Sequence, residues 1–198
     1  MPSYKPDDLM NTKLERLKHA EAMRKRGSLP DALTQLEQIL SDYGPDAHVL
    51  KLVAQIENSL YQTYIADESE RAKVYETQAL QHIREAIALE PANALYYVIL
   101  GYFLEWSDPP QVQEALDTYR RALRVEPLCW DALASACFLA GHPDADLGLQ
   151  EAMRYGELAT RIRPTRSLLL RMAKIYKWTG DLAASERAMI ASLTETIE

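Results

Sequence analysis

Glycine, cysteine and phenylalanine are scarce in this chain of 198 residues, which contains 7, 2 and 2 of them. The few glycines are scattered, so the chain lacks the glycine clusters that cradle phosphates in nucleotide-binding loops. Its cysteines, Cys129 and Cys137, have a spacing that supports neither a disulfide framework nor a structural zinc site. We therefore expect a reducing compartment and no bound metal or cofactor.

Long apolar runs and a cationic leader are also missing. No window approaches the roughly 18 uninterrupted apolar residues of a membrane span, and the start, MPSYKPDDLMNTKLERLKHA, has no apolar stretch behind a basic one. We expect a cytoplasmic protein without membrane insertion. The formal net charge of −7 makes general nucleic-acid binding unfavourable, because affinity for phosphates comes from clustered cations.

No set of residues suited to catalysis stands out in the sequence. The four histidines, His19, His48, His82 and His142, are far apart, and none has the close His, Cys or acidic neighbour of a metal site. We expect each to be a surface or partly buried residue. The sequence therefore predicts a protein that is not an enzyme.

Prolines and alanines recur at regular intervals along the chain. Pro91, Pro127 and Pro164 follow one another at intervals of 36 and 37 residues, and Pro45 marks an earlier break. Alanine returns five and twelve positions before three of these prolines, at Ala79 and Ala86, Ala115 and Ala122, and Ala152 and Ala159. Proline ends a helix, and small residues let two helices approach closely. A helical period of this length predicts stacked helical hairpins.

The segments LYYVILGYFL and EALDTYRRALRVEP resemble the tetratricopeptide repeat. The positions that carry the resemblance are Tyr97, Leu100, Gly101 and Leu104 in the first segment and Ala115, Tyr119, Ala122 and Pro127 in the second. The resemblance implies an all-α, right-handed superhelical solenoid of antiparallel helix pairs over residues 12–198, behind a tail of residues 1–11. We expect about five hairpins, at 12–44, 46–90, 93–126, 128–163 and 166–196.

The second hairpin is longer than its neighbours, because 46 residues separate Pro45 from Pro91. The intervening sequence is rich in helix formers, so both of its helices should be extended, with the loop near Ala66–Ser69. An irregular structural repeat and a dedicated binding element both remain open as explanations of the extra length.

Solenoids of this family bind partners on a concave surface lined by the first helix of each hairpin, and the resemblance implies such a surface here. We expect the following residues to bind a partner there: Tyr102, Trp106, Trp130, Arg171, Lys174, Lys177 and Trp178. The same spacing also places Leu133 and Cys137 in the groove. Packing against neighbouring helices is the alternative for each tryptophan.

Charge is unevenly distributed along this acidic chain. Residues 154–177 contain seven basic residues and one acidic residue. We expect a protein-interaction scaffold or escort whose partner offers an acidic or amphipathic segment, and self-association is left open. One alternative is a protein similar to bacterial secretion or pilus-assembly chaperones. Another is a regulator that binds RNA or a nucleotide through the basic strip 154–177.

Overall fold

The computed structural model describes residues 6–194, which form ten α-helices and no β-strand. In chain order the helices are α1 (Pro6–Lys25), α2 (Leu29–Tyr43), α3 (Ala47–Tyr64), α4 (Ser69–Leu89), α5 (Ala94–Glu105), α6 (Val112–Val125), α7 (Trp130–Phe138), α8 (Leu149–Ile162), α9 (Arg166–Trp178) and α10 (Leu182–Thr194). Each odd-numbered helix pairs with the next one, which confirms the all-α class and the five hairpins. None of these helices combines the length and apolar character needed to cross a bilayer.

The first helix begins at Pro6, so residues 6–11, which were expected in a tail, belong to α1. The other tail residues, 1–5, lie outside the described part of the chain. So does residue 196, the expected end of the fifth hairpin.

The chain divides into two compact units, of which Met1–Pro91 contains α1 to α4 and Ala92–Glu198 contains α5 to α10. In the first unit each helix packs against the next one in sequence. The second unit has the same sequential packing, and α7 also contacts both α5 and α9. The first helices of three successive hairpins therefore lie side by side in the second unit.

Local signals in the sequence set several helix ends. Asp46 caps α3, because its carboxylate accepts a hydrogen bond from the backbone N–H of Val49 at 3.0 Å. Thr165 caps α9 in the same way through the N–H of Leu168, at 3.3 Å. Gly44 ends α2 with a φ of 82°, in the left-handed region that favours glycine.

The six repeated alanines lie where helices touch. None of them exposes more than 1% of its surface: Ala79, Ala86, Ala115, Ala122, Ala152 and Ala159. A larger side chain at these positions would push the paired helices apart, which is why the repeat returns to alanine.

The second hairpin is extended in both helices, as the sequence predicted. Helices α3 and α4 contain 18 and 21 residues, against 12 and 14 in α5 and α6. Residues 65–68 form the loop between them. Beside this loop the guanidinium of Arg71 lies 4.0 Å from the ring centroid of Tyr64, which in turn stacks on Tyr75 at 5.9 Å. Whether this hairpin binds a partner stays a prediction.

Candidate functional site

The C-terminal ends of α5 and α9 each lie beside the end of α7 in the second unit. Gly141 follows α7, and a Cβ atom placed on it would lie 3.0 Å from the ring of Trp178, the last residue of α9. Glu105 ends α5 and is near His142. Burial raises the pKa of the Glu105 carboxyl, while a hydrogen bond from the Tyr119 hydroxyl and the charge of His142 oppose the shift. This meeting of helix ends is the candidate site.

Two half-exposed aromatic side chains lie at the C-terminal end of α5, Tyr102 within the helix and Trp106 directly after it. Tyr102 and Trp106 expose 49% and 56% of their surfaces, and their ring centroids are 6.1 Å apart. Trp178 on α9 exposes 48%. We refer to Tyr102, Trp106 and Trp178 as the aromatic rim. Large aromatic side chains with this much free surface are typical anchors for a partner protein.

Helix α9 adds three cations that differ in their contacts. Arg171 is held in place, because its guanidinium donates to the carbonyl of Ala140 at 3.2 Å and lies 5.4 Å from the ring centroid of Phe138. Lys174 and Lys177 are exposed, and neither forms an ion pair with any residue of the described chain. The two lysines are therefore available to an acidic ligand, whereas Arg171 joins α9 to the end of α7.

Trp130 is not part of this cluster, since it begins α7 and so lies at the opposite end of that helix. Its indole N–H donates to the backbone carbonyls of Ala159 and Arg163, at 3.1 and 2.9 Å. The guanidinium of Arg163 covers the ring at 3.5 Å from its centroid. Trp130 thus ties the start of α7 to the C-terminal end of α8, where the carbonyl of Ala159 also accepts from the backbone N–H of Arg163.

Leu133 and Cys137, expected in the groove, are buried in the core, with 1% and 0% exposure. The fourth hairpin explains this error. A Cβ atom on Gly156 of α8 would lie 2.8 Å from the sulfur of Cys137, so Cys137 occupies the helix-crossing position that Gly101 holds in α5. The predicted register of α7 was therefore one residue off. Shifting it by one brings Phe138, which the sequence analysis missed, toward the site.

The basic strip 154–177 does not form one surface. Arg154 lines a groove between α6 and α8, whereas Arg161 lines another between α8 and α10. Arg163 covers Trp130 and lies 3.7 Å from a carboxylate oxygen of Asp131. Arg171 contacts the end of α7. Arg166 begins α9, at the end away from Trp178, so Lys174 and Lys177 are the basic residues of the strip that remain next to the aromatic rim.

The loop between α7 and α8 is held in place from α6. Arg120 donates to both carboxylate oxygens of Glu151, at 3.2 and 2.8 Å, and to the carbonyl of Asp146 at 3.0 Å. The Gln113 side chain accepts from the N–H of Asp146 at 2.7 Å. Arg120 lowers the pKa of Glu151 because its hydrogen bonds stabilise the carboxylate. These bonds join α6 to the end of the loop and to the first turn of α8.

A buried carboxylate in the first unit is paired with histidine. Glu57 of α3 exposes 1% of its surface, and its Oε2 lies 2.7 Å from Nδ1 of His82 on α4. The hydrogen bond to Glu57 raises the pKa of His82, and burial raises that of Glu57. Within residues 6–194 no group of three His, Cys, Asp or Glu side chains is placed to hold a metal ion. The pair stabilises the contact between α3 and α4.

Sequential helix pairs with small residues at fixed crossing positions define the class of tetratricopeptide-repeat folds, and the chain has this fold. No family model matches the sequence, and no curated protein does. Among solved structures, the chain is similar to MamA, with a TM-score of 0.68 at 16% identity over 89% of this chain and 94% of that one.

Two other solved structures show the same fold. TTC0263, a thermophilic TPR protein of Thermus thermophilus, matches with a TM-score of 0.60 at 17% identity, over 92% of this chain and 90% of that one. YrrB, a TPR protein described as having an unusual peptide-binding site, matches with a TM-score of 0.63 at 15% identity, over 90% and 84%. At this level of identity the likeness shows the fold alone.

Proposed function

We propose that this chain is a non-catalytic protein-interaction module that binds an acidic or amphipathic segment of another protein at the aromatic rim. The observation that carries the proposal is the presence of three half-exposed aromatic side chains at the C-terminal ends of α5 and α9, the two first helices that flank α7. Exposed aromatic residues grouped in this way are costly in water and favour an interface. A cytoplasmic location without a cofactor is part of the same proposal.

The charge beside the rim supports an acidic ligand. Lys174 lies one helical turn before Trp178 on α9, and Lys177 directly precedes it. Neither lysine has an ion-pair partner in the described chain. Arg171 holds α9 against α7 and so fixes the geometry of the rim. Trp130 is left out of the proposed site because its N–H is used within the fold.

Two alternatives differ in how well the structure supports them. A chaperone similar to those of bacterial secretion or pilus assembly would use the same kind of surface, and YrrB offers a precedent for peptide binding on this fold. A regulator of RNA or nucleotides would need the strip 154–177 as a continuous basic surface, but its arginines point to separate places. The protein-binding proposal is therefore preferred, and self-association is one form it can take.

Affinity capture with wild-type and rim variants tests this proposal. A Trp106→Ser, Trp178→Ser double variant should lose the partner that wild type recovers from a lysate. Leu128→Ser is the matched control, because Leu128 is 62% exposed but precedes α7 at the end away from the rim. Recovery of the same partner by the folded double variant would show that the partner binds elsewhere.

Binding kinetics with the identified partner then separate charge from apolar contact. Lys174→Glu with Lys177→Glu should slow association and flatten its salt dependence, because exposed charges act mainly on the encounter rate. Trp178→Ala should speed dissociation, with a loss on the order of 2 kcal/mol if it is a hot spot. Arg121→Glu with Arg166→Glu changes the net charge equally at other exposed positions. An equal effect of this control would show that only net charge matters.

A further inference from the structure

The Ala92–Glu198 unit also has a groove between α6 and α8. These are second helices of their hairpins, whereas the aromatic rim belongs to the first helices α5 and α9. The volume of the groove is about 490 Å³, and Leu133 of α7 lies at its floor. Arg120 and Arg124 of α6 line one wall, and Arg154 of α8 lines the other. None of the residues that line this groove is acidic.

The three arginines differ in how many bonds they form within the protein. Arg120 is fully engaged by Glu151, Asp117 and the Asp146 carbonyl. Arg124 and Arg154 form no hydrogen bond or ion pair with any described residue. The guanidinium of Arg154 lies 5.6 Å from the ring centroid of Tyr155, and its charge helps to lower the pKa of Glu151. Two exposed guanidinium groups, one from α6 and one from α8, therefore line a groove that has no acidic residue in its lining.

The nearby acid is hydrogen-bonded to other groups. Glu151 is the carboxylate next to the groove, but its oxygens already accept from Arg120 and from the hydroxyl of Tyr155 at 2.5 Å. The groove thus combines a surplus of positive charge with an apolar floor made by Leu123, Leu133 and Leu158. Guanidinium groups recognise carboxylates through paired hydrogen bonds, and an apolar floor favours an aliphatic side chain.

We propose that the α6/α8 groove is a second binding site, which takes a peptide segment carrying a carboxylate side chain next to an aliphatic one. Arg124 and Arg154 bind the carboxylate from the two walls, and the leucines receive the aliphatic group. An inorganic anion would leave the apolar floor uncovered, and two available cations are too few for strong attachment to a nucleic-acid backbone.

The groove between α8 and α10 provides an internal comparison. It has a similar volume, about 420 Å³, and is lined by Arg161 and Arg187, but it also contains Glu157. The hydroxyl of Tyr176 donates to Glu157 at 3.1 Å. A carboxylate already stands in this groove, so an acidic ligand should prefer the α6/α8 groove.

The test uses synthetic fluorescein-labelled peptides and the intact protein. The first peptide alternates glutamate with leucine, the second replaces glutamate with glutamine, and the third replaces leucine with serine. Binding is followed by fluorescence anisotropy and mapped by the backbone amide shifts of the isotope-labelled protein. Sodium phosphate and a labelled single-stranded RNA serve as competitors.

The glutamate–leucine peptide should bind most tightly and shift amides of α6 and α8. Arg124→Ala with Arg154→Ala should weaken it about tenfold, since two charge-assisted contacts are lost, and both residues are exposed enough to replace without unfolding. Arg161→Ala with Arg187→Ala should change affinity by less than about twofold because the other groove is not used. Lys174→Glu with Lys177→Glu should likewise leave these amide shifts in place, which separates this site from the aromatic rim.

Several results would overturn the proposal. If the glutamine peptide bound as tightly as the glutamate–leucine peptide, the carboxylate would not be recognised. If the serine peptide did so, the aliphatic side chain would not be recognised. Full competition by phosphate, or preference for the RNA, would assign the groove to a free anion or to nucleic acid. A concentration-dependent dimer that the Arg124→Ala, Arg154→Ala variant abolishes would assign it to a second copy of the chain. Absence of amide shifts in α6 and α8 would leave the groove without this function.

Discussion

Gly101 on α5 and Tyr119 on α6 are so close that a Cβ atom on Gly101 would lie 2.5 Å from Cε1 of the tyrosine ring. Tyr119 is fully buried, and its hydroxyl donates to Glu105 at 2.5 Å. The next hairpin reverses the sizes, because glycine stands on its second helix, at Gly156, opposite Cys137 on the first. At both of these crossings a glycine therefore meets a larger side chain, and Met172 of α9 also lies against Gly156.

Replacing Gly101 by leucine should destabilise the fold strongly. The added side chain would have to displace the buried Tyr119 ring, and overpacking of this kind costs about 1–3 kcal/mol. Urea unfolding measures the change. Gly148→Ala is the control, since a Cβ there meets nothing within 4 Å and its φ is −65°. An unchanged unfolding midpoint for Gly101→Leu would contradict the close crossing of α5 and α6.

Trp130→Phe should lower stability although the aromatic ring is kept. Phenylalanine cannot donate to the carbonyls of Ala159 and Arg163, and a lost hydrogen bond costs about 0.5–1.5 kcal/mol. Trp178→Phe is the control, because the indole N–H of Trp178 has no such partner among the described hydrogen bonds. Thermal unfolding compares the two variants. Equal melting temperatures would show that the indole N–H of Trp130 contributes nothing to the end of α8.

The Glu57–His82 pair should make the first unit less stable as the pH rises. A hydrogen bond to Glu57 raises the pKa of His82 above its ordinary value of about 6.5, and the negative charges of Glu85 and Glu37 act in the same direction. The folded state then holds this proton more tightly than the unfolded chain does. The pair's contribution to the free energy of unfolding is therefore fully present below about pH 6.5 and is lost as the pH rises through the raised pKa of His82.

Unfolding free energies measured from pH 6 to pH 9 check this expectation, where one proton gives a slope of at most about 1.4 kcal/mol per pH unit. His82→Gln should flatten the dependence. His48→Gln in the same unit is the control, because His48 is exposed. The raised pKa of Glu57 also lowers stability as the pH rises, so it cannot reverse the slope. Stability that increases over this range would disprove the assignment.

Gly141→Ala should affect the aromatic rim as well as stability. Gly141 has a φ of 77°, which costs an alanine about 1 kcal/mol, and the new methyl group would lie 3.0 Å from the ring of Trp178. Gly27→Ala carries the same backbone cost at φ 83° but meets nothing within 4 Å. Tryptophan fluorescence should therefore change in Gly141→Ala and stay constant in Gly27→Ala. The same spectrum for both variants would place Trp178 away from Gly141.

Spacing along the chain predicted the hairpins well. The intervals between Pro91, Pro127 and Pro164 located three helix ends, and the alanines five and twelve positions before them proved to be buried. The extra length after Pro45 predicted the longer α3 and α4. These features depend on local sequence, because proline and side-chain size act on the helix that contains them.

Side-chain partners across the fold were less predictable. The register of α7 was misplaced by one residue, because its size pattern is reversed relative to α5. The 36-residue interval aligns Cys137 with Gly101, and the close approach of Cys137 to Gly156 agrees with that alignment. The Glu57–His82 pair joins residues 25 positions apart. An acid within an apolar helical face was the one signal that could have suggested Glu57 as a paired buried group.

The sequence by itself determined the helices, their pairing and the small residues where they cross, since these follow from the periodicity of one chain segment at a time. Only the tertiary structure decided which tryptophans remain exposed. Trp130 and Trp178 both lie at an end of a first helix, yet one indole bonds to the end of α8 and the other stays half exposed beside Gly141. The difference arises because burial and hydrogen bonding depend on which neighbouring helix end reaches the ring, and that contact joins residues far apart in the chain.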